Sequence, residues 1–427
     1  MKLTDEELGM RDGAEGDAVA AAMDLLIRYG AALGAERLVD TRNVAGTMTQ
    51  PSPAKAKLVE EGGWARAYAV INLDCDKDIE IPRMKVPTCQ LQHGFGKDAA
   101  GLTAYPDSSI ALQSDAESYF SERGVNILAT CTPYQVGNLP VRGEHCAWME
   151  SSAVVYCNSV LGARTNCEGA ASTGAAGLTG KIPYWGNHLP ENRFATDLIR
   201  ADVEIDTFQE WGMLGYFVGE QVQEARPAVT GLLRQPDLSD LKHFGAATAT
   251  SGGVELYHMP GITPEAPTLE AAFGGSTVPK ARTYGARERR WVYETLNGQG
   301  QSTDVDFVLL GCPHASLDQV ARIAELLDGR RLHSGTELWV MTPGALRTMA
   351  DRNGYTRIIT AAGGHVLTDS CPAMSKAAPP GTRVFATDSA KQAHYLPAIL
   401  GIEAWFGTLD ECIDAAVTGR WRGDLRP

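Results

Sequence analysis

The chain has 427 residues, 44% of them hydrophobic and 21% charged, with a formal net charge of −14. That length and balance allow two or three globular domains with ordinary cores. The acidic charge is spread along the chain and the basic residues form no stripe interleaved with aromatics, so nucleic acid is excluded as a partner. No stretch reaches the roughly 18–20 apolar residues of a membrane helix, and Met1–Glu7 carries no signal pattern; the chain reads as soluble and cytoplasmic, without a membrane partner.

Thr4 and Glu7 have capping-box spacing, and Val19, Met23, Leu26 and Ile27 share a helical face before Gly30 and Gly34, which predicts an N-terminal helical element. Ala67–Leu73 and Val125–Ala129 are short apolar runs between turn residues, the pattern of strands. Ala147–Leu161 carries Ser and Ala at helical spacing and predicts a helix from near Cys146. Pro, Gly, Thr and Ser punctuate residues 226–300, which reads as a junction after an α/β region 1–225.

After the junction the pattern is regular. Val305–Leu310, Glu337–Met341, His365–Leu367 and Arg383–Ala386 read as strands, and Ser316–Leu327, Pro343–Asp351 and a segment from Ser389 as helices. This alternation predicts a doubly wound α/β domain over 301–427 with a parallel sheet.

The nine cysteines are too few, and too odd in number, for a disulfide scaffold; each is either a buried small residue or a metal ligand. Three follow apolar runs and precede Pro or Thr-Pro: Cys131, Cys312 and Cys371. The chain just past the carboxyl end of a strand lines the ligand crevice of an open α/β sheet, so these loops are candidates to converge. They lack the tight pairing of zinc fingers or ferredoxin runs. Three thiolates on an iron–sulfur cluster leave one iron free to act as a Lewis acid on a hydroxyl or carboxylate. Packing of each cysteine as a small residue is the alternative.

Between Gly143 and Gly169 the sequence is dense in small and polar residues, including Glu150, Ser151 and Asn158 on a helix that buries them; internal hydrogen bonds compete with a substrate role. Arg164-Thr165-Asn166 follows a helix end and suits carboxylate or phosphate capture. Thr387, Asp388 or Ser389 can cap a helix whose first turn holds Lys391, an anion site or simply a capped surface helix. His314 stands beside the second cysteine loop and His365 before the third; a lone His more often fills a structural place than a ligand-binding one.

Together these clusters resemble the aconitase X family, a divergent branch of the aconitase superfamily. The resemblance rests on Cys131-Thr132-Pro133-Tyr134 with Gly143-Glu144-His145, the run Glu150–Asn166, Gly311-Cys312-Pro313-His314, Thr368–Pro372, and Thr387–Lys391 through Tyr395. It implies a multi-domain aconitase-like fold with the active site in a crevice between domains. It also implies an iron–sulfur hydro-lyase acting on a small hydroxy acid, such as cis-3-hydroxy-L-proline or mevalonate 5-phosphate. A smaller swivelling domain, expected here as a separate subunit, closes over the site and brings a serine base. On this reading Cys131, Cys312 and Cys371 hold a cluster of unspecified nuclearity, and Glu150, Ser389 and Lys391 are catalytic candidates. Ser151, Asn158, Arg164, Thr165, Asn166 and His314 are substrate-contact candidates. The sequence departs from the family at Cys89–Gly94 and at Cys167, where relatives often carry a base. A zinc hydrolase lacks its usual His-Glu-x-x-His or paired-cysteine signature here; a non-catalytic binding or scaffold subunit is the remaining reading.

Overall fold

The computed structural model describes residues 1–425 apart from Ala100 and Ala104; the last two residues of the expected C-terminal domain, Arg426 and Pro427, lie outside the described residues. Among the described residues no helix is long and apolar enough to cross a membrane.

The capping box at Thr4 and Glu7 forms as its spacing predicts and starts the helix Asp5–Arg11; a second helix, Asp17–Ala32, buries Val19, Met23 and Leu26. Ala67–Leu73 is a correction to the sequence reading. It is the end of a helix, Pro53–Leu73, started by a Ser52 cap and Pro53 and kinked at Gly62 and Gly63. Its buried residues include Ala67, Tyr68 and Leu73, a helical stripe that a run of apolar letters concealed. Val125–Ile127 is a strand, while Ala147–Trp148 is a two-residue strand and the helix begins only at Ser151.

Three parallel sheets organise the chain. The first has the order Val125–Ile127, Thr88–Gln90, Val44–Gly46, Ala147–Trp148. The second places Asp197–Ala201 between Pro227–Thr230 and Arg282–Tyr284. Residues 226–300 therefore also carry structure: two of these strands and the helices Leu238–Gly252 and Ala286–Asn297 lie there. Their Pro and Gly residues punctuate loops between these elements.

The third sheet has the order His365–Leu367, Glu337–Met341, Phe307–Leu310, Val384–Thr387, Glu403–Phe406, all parallel. The chain winds outward from Phe307–Leu310 in one direction and then returns to its other side. In the first sheet it does the same about Val44–Gly46. Each sheet thus has a switch point, where the loops leaving two adjacent strands diverge and open a crevice.

Candidate active site

All three candidate cysteines lie just past strand ends of these two sheets. Cys131 follows Val125–Ile127, Cys312 follows Phe307–Leu310, and Cys371 follows His365–Leu367. Gly311 lets the second loop pass over its neighbour: its φ is +86°, and a Cβ there would stand 2.1 Å from the carbonyl oxygen of Met341. Two non-glycine residues, Ala129 and Asp369, adopt left-handed backbone two positions before Cys131 and Cys371. Hydrogen bonds hold both, from the Ala129 amide to Gln90 and from the His93 amide to the Asp369 carbonyl. Such strain persists only where surrounding contacts over-determine it.

His314 ties the loops together. Its Nδ1 accepts from the Thr130 hydroxyl at 2.9 Å, its Nε2 donates to the Ser370 carbonyl at 2.9 Å, and its amide donates to Cys131 Sγ at 3.3 Å. Burial first, and then the nearby Lys242, lower its pKa to about 4, so the ring is neutral. With both ring nitrogens engaged, His314 is a strut between the first and third cysteine loops. Lys242 supports it from behind, donating to the His314 carbonyl at 2.9 Å and to Gln319 Oε1 at 2.7 Å.

Cys131, Cys312 and Cys371 are 6%, 9% and 7% exposed, whereas Cys146, Cys157 and Cys412 are fully enclosed. Burial raises the pKa of all three thiols. Against it work the Lys391 charge on all three, the His314 amide on Cys131, the Ser389 hydroxyl on Cys312, and the Met374 and Ala373 amides on Cys371. Cys131 and Cys312 feel each other's charge, as do Cys312 and Cys371.

Lys391 Nζ donates to Glu150 Oε1 at 2.7 Å, and Ser152 Oγ donates to the same oxygen at 3.0 Å. Burial works to raise the Glu150 carboxyl, but Lys391 and Ser152 outweigh it and hold its pKa below the ordinary value. Burial likewise works against Lys391, and the Glu150 and Cys312 charges more than compensate. Ser389 caps the helix Ala390–Leu400, so the capping and charge pattern read at Thr387–Lys391 faces the cysteines. Ser151 opens the helix Ser151–Ser159 and is half-buried.

The remaining substrate-contact candidates are held by bonds to one another and to neighbouring loops. Asn158 Oδ1 accepts from the Thr165 amide and its Nδ2 donates to the Thr165 carbonyl, at 3.0 and 2.8 Å. Asn166 Oδ1 accepts from the Asn187 amide at 2.8 Å. Arg164 forms an isolated parallel bridge with His145 and donates to the His188 carbonyl at 3.0 Å. From there the chain runs parallel to Ala147–Trp148, which carries Cys167, not Arg164, to the Glu150 end. His365 lies within 3.4 Å of Glu337.

Sequence reasoning did not find Lys242, Thr130, Gln135 or Gln92. Gln92 Nε2 lies 3.9 Å from Cys371 Sγ, and Gln135 Nε2 donates to the His314 carbonyl at 2.9 Å. A lysine between Leu241 and Phe244 in an apolar helix was the available signal for Lys242.

Among the described residues no three His, Cys, Asp or Glu side chains are grouped to hold a single metal ion. A cluster asks for something different, one thiolate at each of several irons. Three thiols with N–H or O–H donors on their sulfurs and an ammonium nearby are donors of that chemistry, and the residues fit such a group.

Family models match nearly the whole chain: "Aconitase X first domain" over residues 1–191, "second domain" over 195–294 and "third domain" over 305–418. The chain is 37% identical over 398 residues to the phosphomevalonate dehydratase large subunit of Methanothermobacter thermautotrophicus, covering 92% of this chain and 94% of that one. It is 34% identical over 418 residues to the cis-3-hydroxy-L-proline dehydratase of Pseudomonas aeruginosa, covering 96% of this chain and 68% of that protein. The crystal structure of Thermococcus kodakaraensis aconitase X in its holo-form superposes with a TM-score of 0.79 at 32% identity, covering 97% of this chain and all of that one.

Proposed function

We propose, from the premise that this chain belongs to the aconitase X family and is a hydro-lyase, that it is the large subunit of an iron–sulfur-dependent dehydratase of a small hydroxy acid. The observation that carries the reading is the convergence of Cys131, Cys312 and Cys371 on the Glu150–Lys391 pair. Bound there, a cluster would supply a Lewis acid for the departing hydroxyl.

The chain's own residues have separable roles. Cys131, Cys312 and Cys371 would hold the cluster, with Lys391 offsetting its negative charge. Lys391, Ser389 and Ser151 line the place where a substrate carboxylate would sit, and Glu150 fixes the ammonium that meets it. Asn158, Thr165, Asn166 and Arg164 build the wall behind the site through their bonds to one another and to the Gly186–His188 turn. A lid suits this chemistry, because proton abstraction next to a carboxylate needs water excluded. Relatives named as large subunits support a separate small subunit in that place, carrying the base.

Cis-3-hydroxy-L-proline is the proposed substrate and mevalonate 5-phosphate the alternative, both drawn from the relatives' names. The test is to purify the chain anaerobically with a candidate small subunit and assay dehydration of both compounds. Turnover of either supports the dehydratase reading. No turnover of any hydroxy acid by an iron-loaded pair would overturn it.

A further inference from the structure

We propose that Arg37, His145 and Arg164 form a second anion site, separate from the cysteine loops, which takes a small dianion of the phosphate type, free or as the phosphate of an ester. The proposal does not rest on the dehydratase reading.

His145 enters the strand Ala147–Trp148 from the end opposite Glu150. Arg164 stands beside it on the neighbouring chain, where its amide donates to the Glu144 carbonyl at 2.8 Å. The His145 ring also meets the ring of Tyr184 edge-to-face at 5.8 Å, and the Arg37 guanidinium lies over that tyrosine, 3.9 Å from its centroid. The Tyr184 amide donates to the Arg37 carbonyl at 3.0 Å, which keeps the two residues together. Arg37 is exposed, and His145, Arg164 and Tyr184 are half-buried, so the cluster opens to solvent.

Its charges are not balanced. Among the described residues no Asp or Glu side chain lies within 4.0 Å of Arg37 or Arg164, while Arg193 nearby has its own partner, Glu265, at 2.6 Å. The adjoining carboxylate, Glu144, accepts from the Val141 amide at 2.9 Å. The charges that His145 feels are those of Arg164, Arg37 and Arg193, all positive; with burial foremost they lower its pKa to about 4, so the ring is neutral. A chain with a net charge of −14 thus leaves two neighbouring guanidiniums without a carboxylate.

Their donors are unused as well. Arg164 donates through Nη1 to the His188 carbonyl; its Nε is enclosed without a partner, and its Nη2 has no partner and is not enclosed. Arg37 uses only Nη1, on the Leu38 carbonyl at 3.3 Å. His145 Nδ1 lies 2.9 Å from His188 Nδ1, and His188 Nε2 is enclosed without a partner. Orphaned buried N–H groups are rarer than orphaned acceptors. His188 therefore carries its proton on Nδ1 and donates it to His145, whose own proton sits on Nε2, the nitrogen that is not enclosed. Two guanidiniums and an imidazole with open N–H groups and no acceptor complement the several oxygens of a phosphate group. Two unbalanced positive charges favour a dianion over a monoanion.

In the test the iron-loaded chain is purified anaerobically in phosphate-free buffer, and calorimetry titrates it with inorganic phosphate, glycerol 3-phosphate and acetate. Saturable binding of phosphate or of the ester is expected, the tighter of the two naming the source, with acetate at least tenfold weaker. Arg37→Gln, at an exposed position, and His145→Gln should each weaken phosphate binding at least tenfold. Lys391→Met, which removes the ammonium beside the cysteines, should leave it within twofold. If His145→Gln does not fold, Arg37→Gln decides alone. No saturable binding of either phosphate compound, unchanged binding in Arg37→Gln, or binding abolished by Lys391→Met would overturn the proposal.

Discussion

Lys391 Nζ lies 2.7 Å from Glu150 Oε1, an ion pair that joins the first sheet's crevice to the third's, and both side chains are about 15% exposed. Removing one partner strands the other charge away from water. Lys391→Met is therefore expected to cost about 3 kcal/mol, and Glu150→Gln combined with it to cost less than the sum. The sign with pH follows from the two shifts. Glu150's carboxyl is depressed, so its contribution is present above the ordinary carboxylate range and lost as pH falls through the lowered value. Lys391 is raised, so its contribution is present through neutral pH and lost only in alkali. Thermal denaturation across pH should show the deficit of both single variants largest near neutral pH and closing in acid, where the wild type loses the paired carboxylate.

Glu168 should behave oppositely. Its folded carboxyl titrates near 7, above the unfolded value, so its contribution to stability falls as pH rises from about 4.5 to 7. Glu168→Gln should then be more stable than the wild type above pH 7, by up to about 3 kcal/mol, with no gain at pH 4.5. A gain that is the same at both pH values would contradict this titration.

Arg164 donates to the His188 carbonyl and shares a cationic neighbourhood with Arg193 and His145. Arg164→Ala is expected to lower stability by about 1–2 kcal/mol and to leave KM within twofold. A raised KM with unchanged melting would instead put the guanidinium on the substrate.

Lys242 is 3% exposed and holds the loop that carries Cys312 through the His314 carbonyl. Lys242→Met should leave the His314 carbonyl with Gln135 as donor and Gln319 Oε1 with the Ser316 amide, each short of one donor, lower the melting temperature and shorten iron retention in air. Lys242→Arg, which keeps the charge but not the fit, should retain more iron than the methionine variant.

How much of this was legible varied with the kind of signal. The cysteine loops were, because a buried strand followed by Gly-Cys-Pro or Ser-Cys-Pro marks its own end. The third sheet was too, since its strands are separated by helices with clear caps such as Ser316. The first sheet was not: Thr88–Gln90 and Val44–Gly46 are three residues long, too short for any period to show. Ala67–Leu73 read as a strand because its helical stripe emerges only with the preceding turns and the Ser52 cap. Arg164 looked like a site residue because it follows a helix end. Parallel pairing, which sequence spacing does not reveal, sets Arg164 beside His145 and Cys167 beside Trp148. His314 was visible as a residue beside the site but not as a strut, since its partners Thr130 and Ser370 are far away in sequence.

The central claim is that Cys131, Cys312 and Cys371 hold one cluster. The direct measurement is iron and acid-labile sulfide per chain, with the visible absorption spectrum, after anaerobic purification of the wild type and of single Cys→Ser variants. Each of Cys131→Ser, Cys312→Ser and Cys371→Ser should lose iron and sulfide together, while Cys75→Ser and Cys412→Ser retain both. Unchanged iron, sulfide and spectrum in any one of the first three variants would contradict the assignment.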